Sequence, residues 1–235
     1  MKVVGFSDIG TRRSSNQDTF WSAVFESDGQ EYGVLVMCDG MGGLSEGTWA
    51  SKEVTNAIRN SILEGKYSID ELKETMISSS KVLLDRSIEL SEGSNKTVKI
   101  GTTCTLVLVS KSTMRYECLH IGDSRLYLIG GIEGASMVTE DHTHINVLAK
   151  KGVEITPELR KKYRSVLSRC IGTKLRPNID YISGPIYAGQ KLLVCSDGFW
   201  HHWDGSVEDL QSSIERVKNL GELDNITVAL LDMEG

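Results

Sequence analysis

The order in which strand and helix patterns follow one another is the strongest constraint on the fold of this 235-residue chain. Short runs rich in β-branched or aromatic residues, each bounded by turn residues, predict eight strands. They span residues 3–7, 19–25, 32–38, 103–109, 114–121, 125–129, 191–195 and 226–231. Most of these runs follow one another directly, and Ser27-Asp28-Gly29 is a plain hairpin turn between two of them.

Two amphipathic helix patterns stand side by side after the third strand. The first covers residues 46–63, and its apolar face is formed by Ala50, Val54, Ala57, Ile58 and Ile62. The second begins at Ser68, whose hydroxyl can cap the helix while Glu71 reaches back. Its apolar face is formed by Ile69, Leu72, Met76, Leu83 and Ile88. Weaker helix patterns cover residues 146–151, 157–163 and 207–217.

Grouped strands with a consecutive helix pair predict an α+β fold, in which antiparallel sheets are covered by helices. A doubly wound parallel sheet would instead alternate strand and helix. The length suits one hydrophobic core, so we expect a single domain over residues 1–235.

Composition excludes several classes of function. A net charge of -6 and a pI near 5.5, with scattered basic residues, argue against nucleic-acid binding. No apolar stretch approaches the roughly 20 residues that cross a bilayer, and the first ten residues lack a signal pattern, so we expect a cytoplasmic protein. The five cysteines include no Cys-x-x-Cys pair, which favours free thiols over disulfides or a zinc site.

Four Asp-Gly pairs occur, and two of them differ from ordinary turns. Asp39-Gly40 and Asp197-Gly198 each end an apolar strand, whereas Asp28-Gly29 and Asp204-Gly205 do not. A carboxylate beside the core is costly to ionise unless a partner or a metal compensates its charge. Asp39-Gly40 and Asp197-Gly198 therefore indicate a functional site more strongly than an ordinary turn.

Three further aspartates lie at strand ends. Asp18 precedes the second strand, Asp123 lies between two strands, and Asp224 opens the last one. Such carboxylates would repel one another, and a hard divalent cation such as Mg²⁺ or Mn²⁺ resolves that conflict. Gly40, which has no side chain, would let a backbone carbonyl approach an ion already crowded by carboxylates.

An ordered series of motifs resembles the metal-dependent (PPM, type 2C) serine/threonine protein phosphatases, and the bacterial stand-alone form in particular. The motifs cover nearly the whole chain in the family's order. They are Arg13 with Asn16-Gln-Asp18, Cys38-Asp-Gly-Met-Gly-Gly43, Gly101-Thr-Thr-Cys104, Ile121-Gly-Asp-Ser-Arg125, Asp141-His142, Leu167-Ser-Arg-Cys-Ile-Gly172, Cys195-Ser-Asp-Gly198 and Asp224-Asn-Ile-Thr-Val228. The resemblance implies a four-layer α-β-β-α sandwich with a metal centre at one edge.

The resemblance also implies roles for single residues. Asp39 would bridge two divalent ions, Mn²⁺ or Mg²⁺, and Gly40 would offer its carbonyl to the second. Asp197 and Asp224 would bind the first ion. The remaining implied roles are a hydrogen bond to a metal-bound water for Asp18, a weak third ion for Asp123 with Asp197, and the substrate phosphate for Arg13.

The implied reaction is hydrolysis of phosphoserine and phosphothreonine in proteins by a water shared between two ions. Two positions depart from many relatives. Met41 stands where many animal members have a His assigned as general acid, so the proton donor to the leaving oxygen stays open. Gln17 replaces a Glu ligand found in some members, which predicts weak binding of the second ion.

Residues 141–165 correspond to the family's variable flap, which borders the active site, and they are locally basic. The basic residues are Lys150, Lys151, Arg160, Lys161, Lys162 and Arg164. The adjacent His201 and His202 are not expected to form a metal site, because consecutive side chains diverge on a helix or strand. Trp200 and Trp203 either line a substrate groove or belong to the core.

Two other functions remain open. A catalytically silent relative would bind phosphoproteins or a partner as a regulatory module, and a hydrolase of small phosphate esters could use the same metal chemistry. No Walker loop supports nucleotide binding. For the main interpretation we expect a monomer whose partners are phosphoprotein substrates of a serine/threonine kinase, with no nucleic-acid or membrane partner.

Overall fold

The computed structural model describes residues 1–92, 97–131, 134–163, 165–207 and 209–234. The strands are β1 (Lys2–Asp8), β2 (Asp18–Ser27), β3 (Gln30–Met41), β4 (Gly101–Thr102), β5 (Cys104–Ser110), β6 (Arg115–Ile121), β7 (Arg125–Gly131), β8 (Gly134–Met137), β9 (Asp180–Pro185), β10 (Lys191–Cys195) and β11 (Ile226–Asp232). The helices are α1 (Leu44–Leu63), α2 (Ile69–Glu92), α3 (His144–Lys150), α4 (Pro157–Tyr163), α5 (Asp197–Trp200) and α6 (Leu210–Asn219).

Two antiparallel sheets form the centre of the molecule. One has the strand order β1-β11-β10-β7-β8, and the other has the order β2-β3-β5-β6-β9 with β4 paired to β3. The predicted α+β fold is confirmed, as are all eight predicted strands and both long helices. Strands β4, β8 and β9 were not predicted, because they are very short or contain Gly and Pro instead of a continuous β-branched run.

Alternating side chains of β3 show how the four layers form. Val34, Val36 and Cys38 pack with α1 and α2, whereas Leu35 and Met37 point the other way into the space between the sheets. That inter-sheet core is completed by side chains of β5, β10 and β11. A third cluster joins the outer face of the other sheet to α5 and α6. The period-two pattern of one strand thus serves two separate cores.

Each predicted helix is present, with ends that differ from the predicted ones by up to three residues. The Ser68 N–H donates to Glu71 and the Glu71 N–H donates back to the Ser68 hydroxyl, so the capping box is confirmed. Ile88 was expected on the buried face of α2, but it is 55% exposed. Helix α6 begins at Leu210, later than the predicted 207, because the Asp209 side chain caps Gln211; Glu208 lies outside the described residues.

The predicted hairpin turn and the predicted free thiols are both confirmed. Asp28 and Gly29 both have positive φ, 51° and 71°, as a two-residue turn between twisted strands requires. All five cysteines are free and buried. Within the described part of the chain, no helix combines the length and the apolar character needed to cross a membrane.

Candidate active site

The β2–β3 hairpin brings the first two aspartates together. In the antiparallel register of these strands, Asp18 lies directly opposite Asp39. The Asp39 N–H donates to the Thr103 hydroxyl at 2.8 Å, which fixes the end of β3 against the start of β5. A register shift of one residue would turn one of the two carboxylates to the other face.

The other sheet supplies two more carboxylates. Asp197 begins α5 directly after β10, and Asp224 lies just before β11, which pairs with β10. Asp123 lies in the turn between β6 and β7. Four of the predicted aspartates, all except Asp18, line one cleft of about 350 Å³ together with Arg13 and Gly40. Asp18 is buried and does not line this cleft.

Glycine is required at the floor of this cleft. A Cβ on Gly40 would lie 1.9 Å from the Gly47 carbonyl oxygen and 3.0 Å from that of Gln17, so no larger residue fits. The Gly40 N–H donates to the Gln17 carbonyl at 3.0 Å. This close packing holds the segment that follows Asp39 against the start of α1.

Burial and mutual repulsion make these carboxylates hard to ionise together. Burial, followed by the charges of neighbouring aspartates, raises the pKa of Asp39 and of Asp123 well above the usual value. Burial raises the pKa of Asp18 to about 7, although the hydroxyls of Thr227 and Ser196 act against it. Burial also raises the pKa of Asp197 to about 6, against the opposing effect of His201. The positive charge near these four aspartates therefore does not offset the effect of their burial.

The donor set fits a hard divalent ion in its chemistry. Asp18 Oδ2 is buried and has no hydrogen-bond partner among the described residues, which is costly for a carboxylate oxygen. Carboxylate and carbonyl oxygens are the ligands that Mg²⁺ and Mn²⁺ prefer. However, no three Asp, Glu, His or Cys side chains in the described ranges stand in an arrangement that could hold an ion.

Arg13 supplies a cation at the edge of the cluster. Its Nη2 donates to Asp224 Oδ2 at 2.5 Å, and its side chain is about half exposed at 47%. The hydrogen bond with Asp224, and then its charge, raise the pKa of Arg13 despite partial burial. Arg13 lines the carboxylate cleft, so its guanidinium stands where an anion entering the cleft would meet it.

The sequence did not predict the buried Glu222 beside the cleft. Glu222 Oε1 accepts the N–H groups of Leu223 and Asp224, and Oε2 lies 3.6 Å from His201 Nδ1 and 3.5 Å from His202 Nε2. The expectation that the two histidines point apart is wrong here, because they occupy a turn and not a regular helix or strand. Glu222 follows no apolar strand, so no sequence signal distinguished it.

The predicted flap contains the short helices α3 and α4. Its two ends meet in a stem, where His144 N–H donates to the Val166 carbonyl and Ser168 N–H donates to the His142 carbonyl, both at 2.8 Å. Arg160 and Lys161 of the flap line a second cleft of about 550 Å³, which also includes Asp123. Arg164 lies outside the described residues.

The two tryptophans have different surroundings. Trp200 lines the 550 Å³ cleft beside the flap and donates its Nε1–H to the Asp123 carbonyl at 2.9 Å. Trp203 packs against the core beneath α6 and donates to the Ser206 carbonyl. Only Trp200 is therefore placed to line a groove next to the candidate site.

The fold and this edge cluster define a class of protein, an α-β-β-α sandwich with buried and half-buried aspartates at one end of its two sheets. A family model described as protein phosphatase 2C matches residues 10–226. The chain therefore belongs to the protein phosphatase 2C family, as its motifs predicted.

Individual relatives agree with this assignment. Protein phosphatase PhpP of Streptococcus pneumoniae is 28% identical over 99% of this chain and 98% of its own length. The solved S. agalactiae serine/threonine phosphatase is 26% identical, covers 99% of both chains and superposes with a TM-score of 0.79. The Mycobacterium tuberculosis serine/threonine phosphatase PstP/Ppp is 26% identical, covers 100% of this chain and 99% of that one, and has a TM-score of 0.75.

Proposed function

We propose that this protein hydrolyses phosphoserine and phosphothreonine in proteins with the help of two divalent ions, Mn²⁺ or Mg²⁺. The observation that carries the proposal is the cluster of buried and half-buried aspartates around one cleft, in which burial raises the pKa of Asp39, Asp123 and Asp197. The names of the relatives as serine/threonine phosphatases support the substrate class.

The residues that would hold the ions are those at the strand ends. Asp39 and the Gly40 carbonyl, together with Asp197 and Asp224, are the proposed ligands, and Asp123 would add a weak third site with Asp197. Such ions, when bound, supply Lewis-acid activation of a water molecule. Asp18, whose Oδ2 has no hydrogen-bond partner among the described residues, would accept a hydrogen bond from a water in the site.

Arg13 would bind the substrate phosphate. Its present partner is Asp224, so the guanidinium would turn from that carboxylate to the phosphate oxygens. A guanidinium can offer two parallel donors to a phosphate, which fixes orientation as well as charge. Arg13 would thereby hold phosphorus above the carboxylate cluster and stabilise the charge that spreads over its oxygens.

The leaving oxygen receives no proton from Met41. Met41 lines the carboxylate cleft, and a thioether cannot donate a proton. We infer that solvent in the open cleft protonates the departing seryl or threonyl oxygen. The protein would act as a cytoplasmic monomer on the substrates of a serine/threonine kinase.

One observation favours the alternative, a catalytically silent module that binds phosphoproteins. Arg13 lines the carboxylate cleft and already offsets the charge of Asp224 without any ion. A module of this kind would bind phosphopeptide through Arg13 and gain nothing from divalent ions.

The test is a comparison of kcat/KM for matched peptides that carry phosphothreonine, phosphoserine or phosphotyrosine, and for ATP, all in Mn²⁺. We expect turnover of the phosphothreonine and phosphoserine peptides at least about 10²-fold above ATP, a discrimination of about 2.7 kcal/mol. Phosphopeptide binding without turnover would establish the silent module. Preferred hydrolysis of ATP would establish a small-molecule phosphohydrolase instead.

A further inference from the structure

Two side chains at the base of the flap are connected, one directly and one through other residues, to the turn that contains Asp123. They are the neighbours Asp141 and His142, which lie where the flap leaves the sandwich. Neither lines the carboxylate cleft itself. Each reaches the Asp123 turn by a separate chain of contacts.

The His142 chain of contacts fixes the backbone just before Asp123. The Gly122 N–H donates to His142 Nδ1 at 3.1 Å, and the His142 N–H donates to the Gly122 carbonyl at 2.7 Å. Since Nδ1 accepts, Nε2 carries the proton and donates to Asp180 Oδ2 at 2.9 Å. Arg169 in turn donates to both oxygens of Asp180, at 2.6 and 3.1 Å. His142 is 3% exposed, so its hydrogen bonds with Gly122 are shielded from water, whereas Asp180 is partly exposed.

The Asp141 chain of contacts fixes the carbonyl of Asp123 itself. Arg125 makes a two-point ion pair with Asp141, through Nε at 2.9 Å and Nη2 at 2.8 Å. The same guanidinium stacks 3.4 Å above the Trp200 ring, whose Nε1–H donates to the Asp123 carbonyl at 2.9 Å. A planar, forked cation is needed to pair and stack at once, so Lys would not replace Arg125.

Both series of contacts begin in the flap stem and end at the turn formed by Gly122 and Asp123. Gly122 has φ of 117°, and a Cβ there would lie 2.5 Å from the Thr103 side chain. The turn therefore packs directly against Thr103 and excludes any larger residue at position 122. Thr103 also accepts the Asp39 N–H. The Asp123 turn is therefore held between the flap stem on one side and the β3–β5 junction on the other.

We propose that Asp141 and His142 are positioning residues, which set the location of the Asp123 carboxylate and thereby couple the flap to the catalytic cleft. The inference rests on the proposed function only through the role of Asp123 in turnover. Contacts that orient the residues around a metal centre commonly change activity by about 10- to 100-fold when removed.

The first test measures the turn directly, by amide hydrogen exchange of Gly122 in wild type, His142→Ala, His142→Asn and Asp141→Asn. The Asn side chain keeps an acceptor near Nδ1, so His142→Asn should stay within about 3-fold of wild type, whereas His142→Ala should exchange at least about 10-fold faster. Val217→Ala, in the distant α6 core, controls for general loss of stability. Unchanged Gly122 exchange in His142→Ala would overturn the proposal.

The second test is a double-mutant cycle with Asp123→Asn, measured as kcat/KM on a phosphothreonine peptide. We expect His142→Ala to reduce kcat/KM about 10-fold in wild type and by less than about 2-fold in the Asp123→Asn background. Equal losses in both backgrounds would mean that His142 acts elsewhere, and would overturn the proposal. A wild type without turnover would contradict the proposed function alone, because the exchange comparison would still decide the positioning role.

Discussion

At the scale of single residues, the Asp-Gly pairs in the candidate site differ from those in turns by the apolar strand that precedes them. Asp39 lies near the end of one buried strand, Asp197 follows another, and both line the cleft. Asp28 forms the hairpin turn, and Asp204 is exposed and pairs with Arg216. The sequence could predict this difference because a buried strand reveals itself by its apolar run. It could not predict the Arg13–Asp224 ion pair, since the distance between two loops depends on the packing of both sheets.

Replacement of Arg13 tests its proposed role. Arg13→Ala should raise KM and lower kcat/KM for a phosphopeptide about 10²-fold or more, because a preorganised charge on the phosphate is lost. Arg13→Lys keeps the charge but loses the forked pair of donors, so its kcat/KM should lie between those of wild type and Arg13→Ala. Arg59→Ala on the exposed face of α1 serves as the charge-matched control. Unchanged kcat/KM in Arg13→Ala would refute the role.

Asp18 gives a prediction for pH dependence in the absence of ions. Its pKa of about 7 in the folded protein exceeds the usual 3.8, so the unfolded chain loses this proton first and ionisation costs stability as pH rises from about 4 to 7. In EDTA, Asp18→Asn should therefore gain stability relative to wild type between pH 5 and pH 7. Urea denaturation at several pH values measures the difference. A difference that does not change with pH would contradict the raised pKa.

At the scale of elements, long apolar patterns were predictable and short or exposed ones were not. The eight strands and the Ser68 capping box were predicted, because each carries its own local signal. Strand β9 alternates exposed and half-buried positions and ends in Gly-Pro, so its pairing with β6 depends on tertiary context. The exposure of Ile88 shows the same limit, since a periodic pattern does not reveal where the neighbouring layer ends.

The flap as an element should attract negatively charged peptides. Lys151, Arg160, Lys161 and Lys162 are exposed, and two of them line the cleft that includes Asp123. Their joint replacement by Gln should raise phosphopeptide KM several-fold at low salt and less at 0.5 M NaCl, because exposed charges are screened. Four Lys→Gln changes outside the flap, at Lys2, Lys52, Lys73 and Lys81, form the control. An unchanged KM at low salt would contradict this role.

At the scale of the whole molecule, the inter-sheet core joins the two halves of the site. Asp18 and Asp39 belong to one sheet, whereas Asp197 and Asp224 adjoin the other. Their spacing therefore depends on how Leu35 and Met37 of β3 pack against β10 and β11. The resemblance to a family predicted this arrangement, which local patterns alone cannot provide because they do not fix how two sheets stack.

Truncation in this core should therefore be costly. Leu35 is fully buried between the sheets, so Leu35→Ala should lower the free energy of unfolding by about 2–5 kcal/mol. Leu63→Ala, at a position that is 68% exposed, should change it by less than about 0.5 kcal/mol. Urea denaturation with an unchanged m-value measures both. Equal effects of the two substitutions would contradict the layer assignment.

The most direct test of the proposed metal-dependent hydrolysis is phosphate release from a phosphothreonine peptide while Mn²⁺ is titrated into EDTA-treated protein. Wild type and Asp39→Asn are compared. The clustered carboxylates predict no turnover without added ions, saturable activation in wild type, and loss of activation in Asp39→Asn although both proteins remain folded. Turnover that persists in EDTA, or equal activation of Asp39→Asn, would contradict the claim that these aspartates assemble a metal-dependent phosphatase.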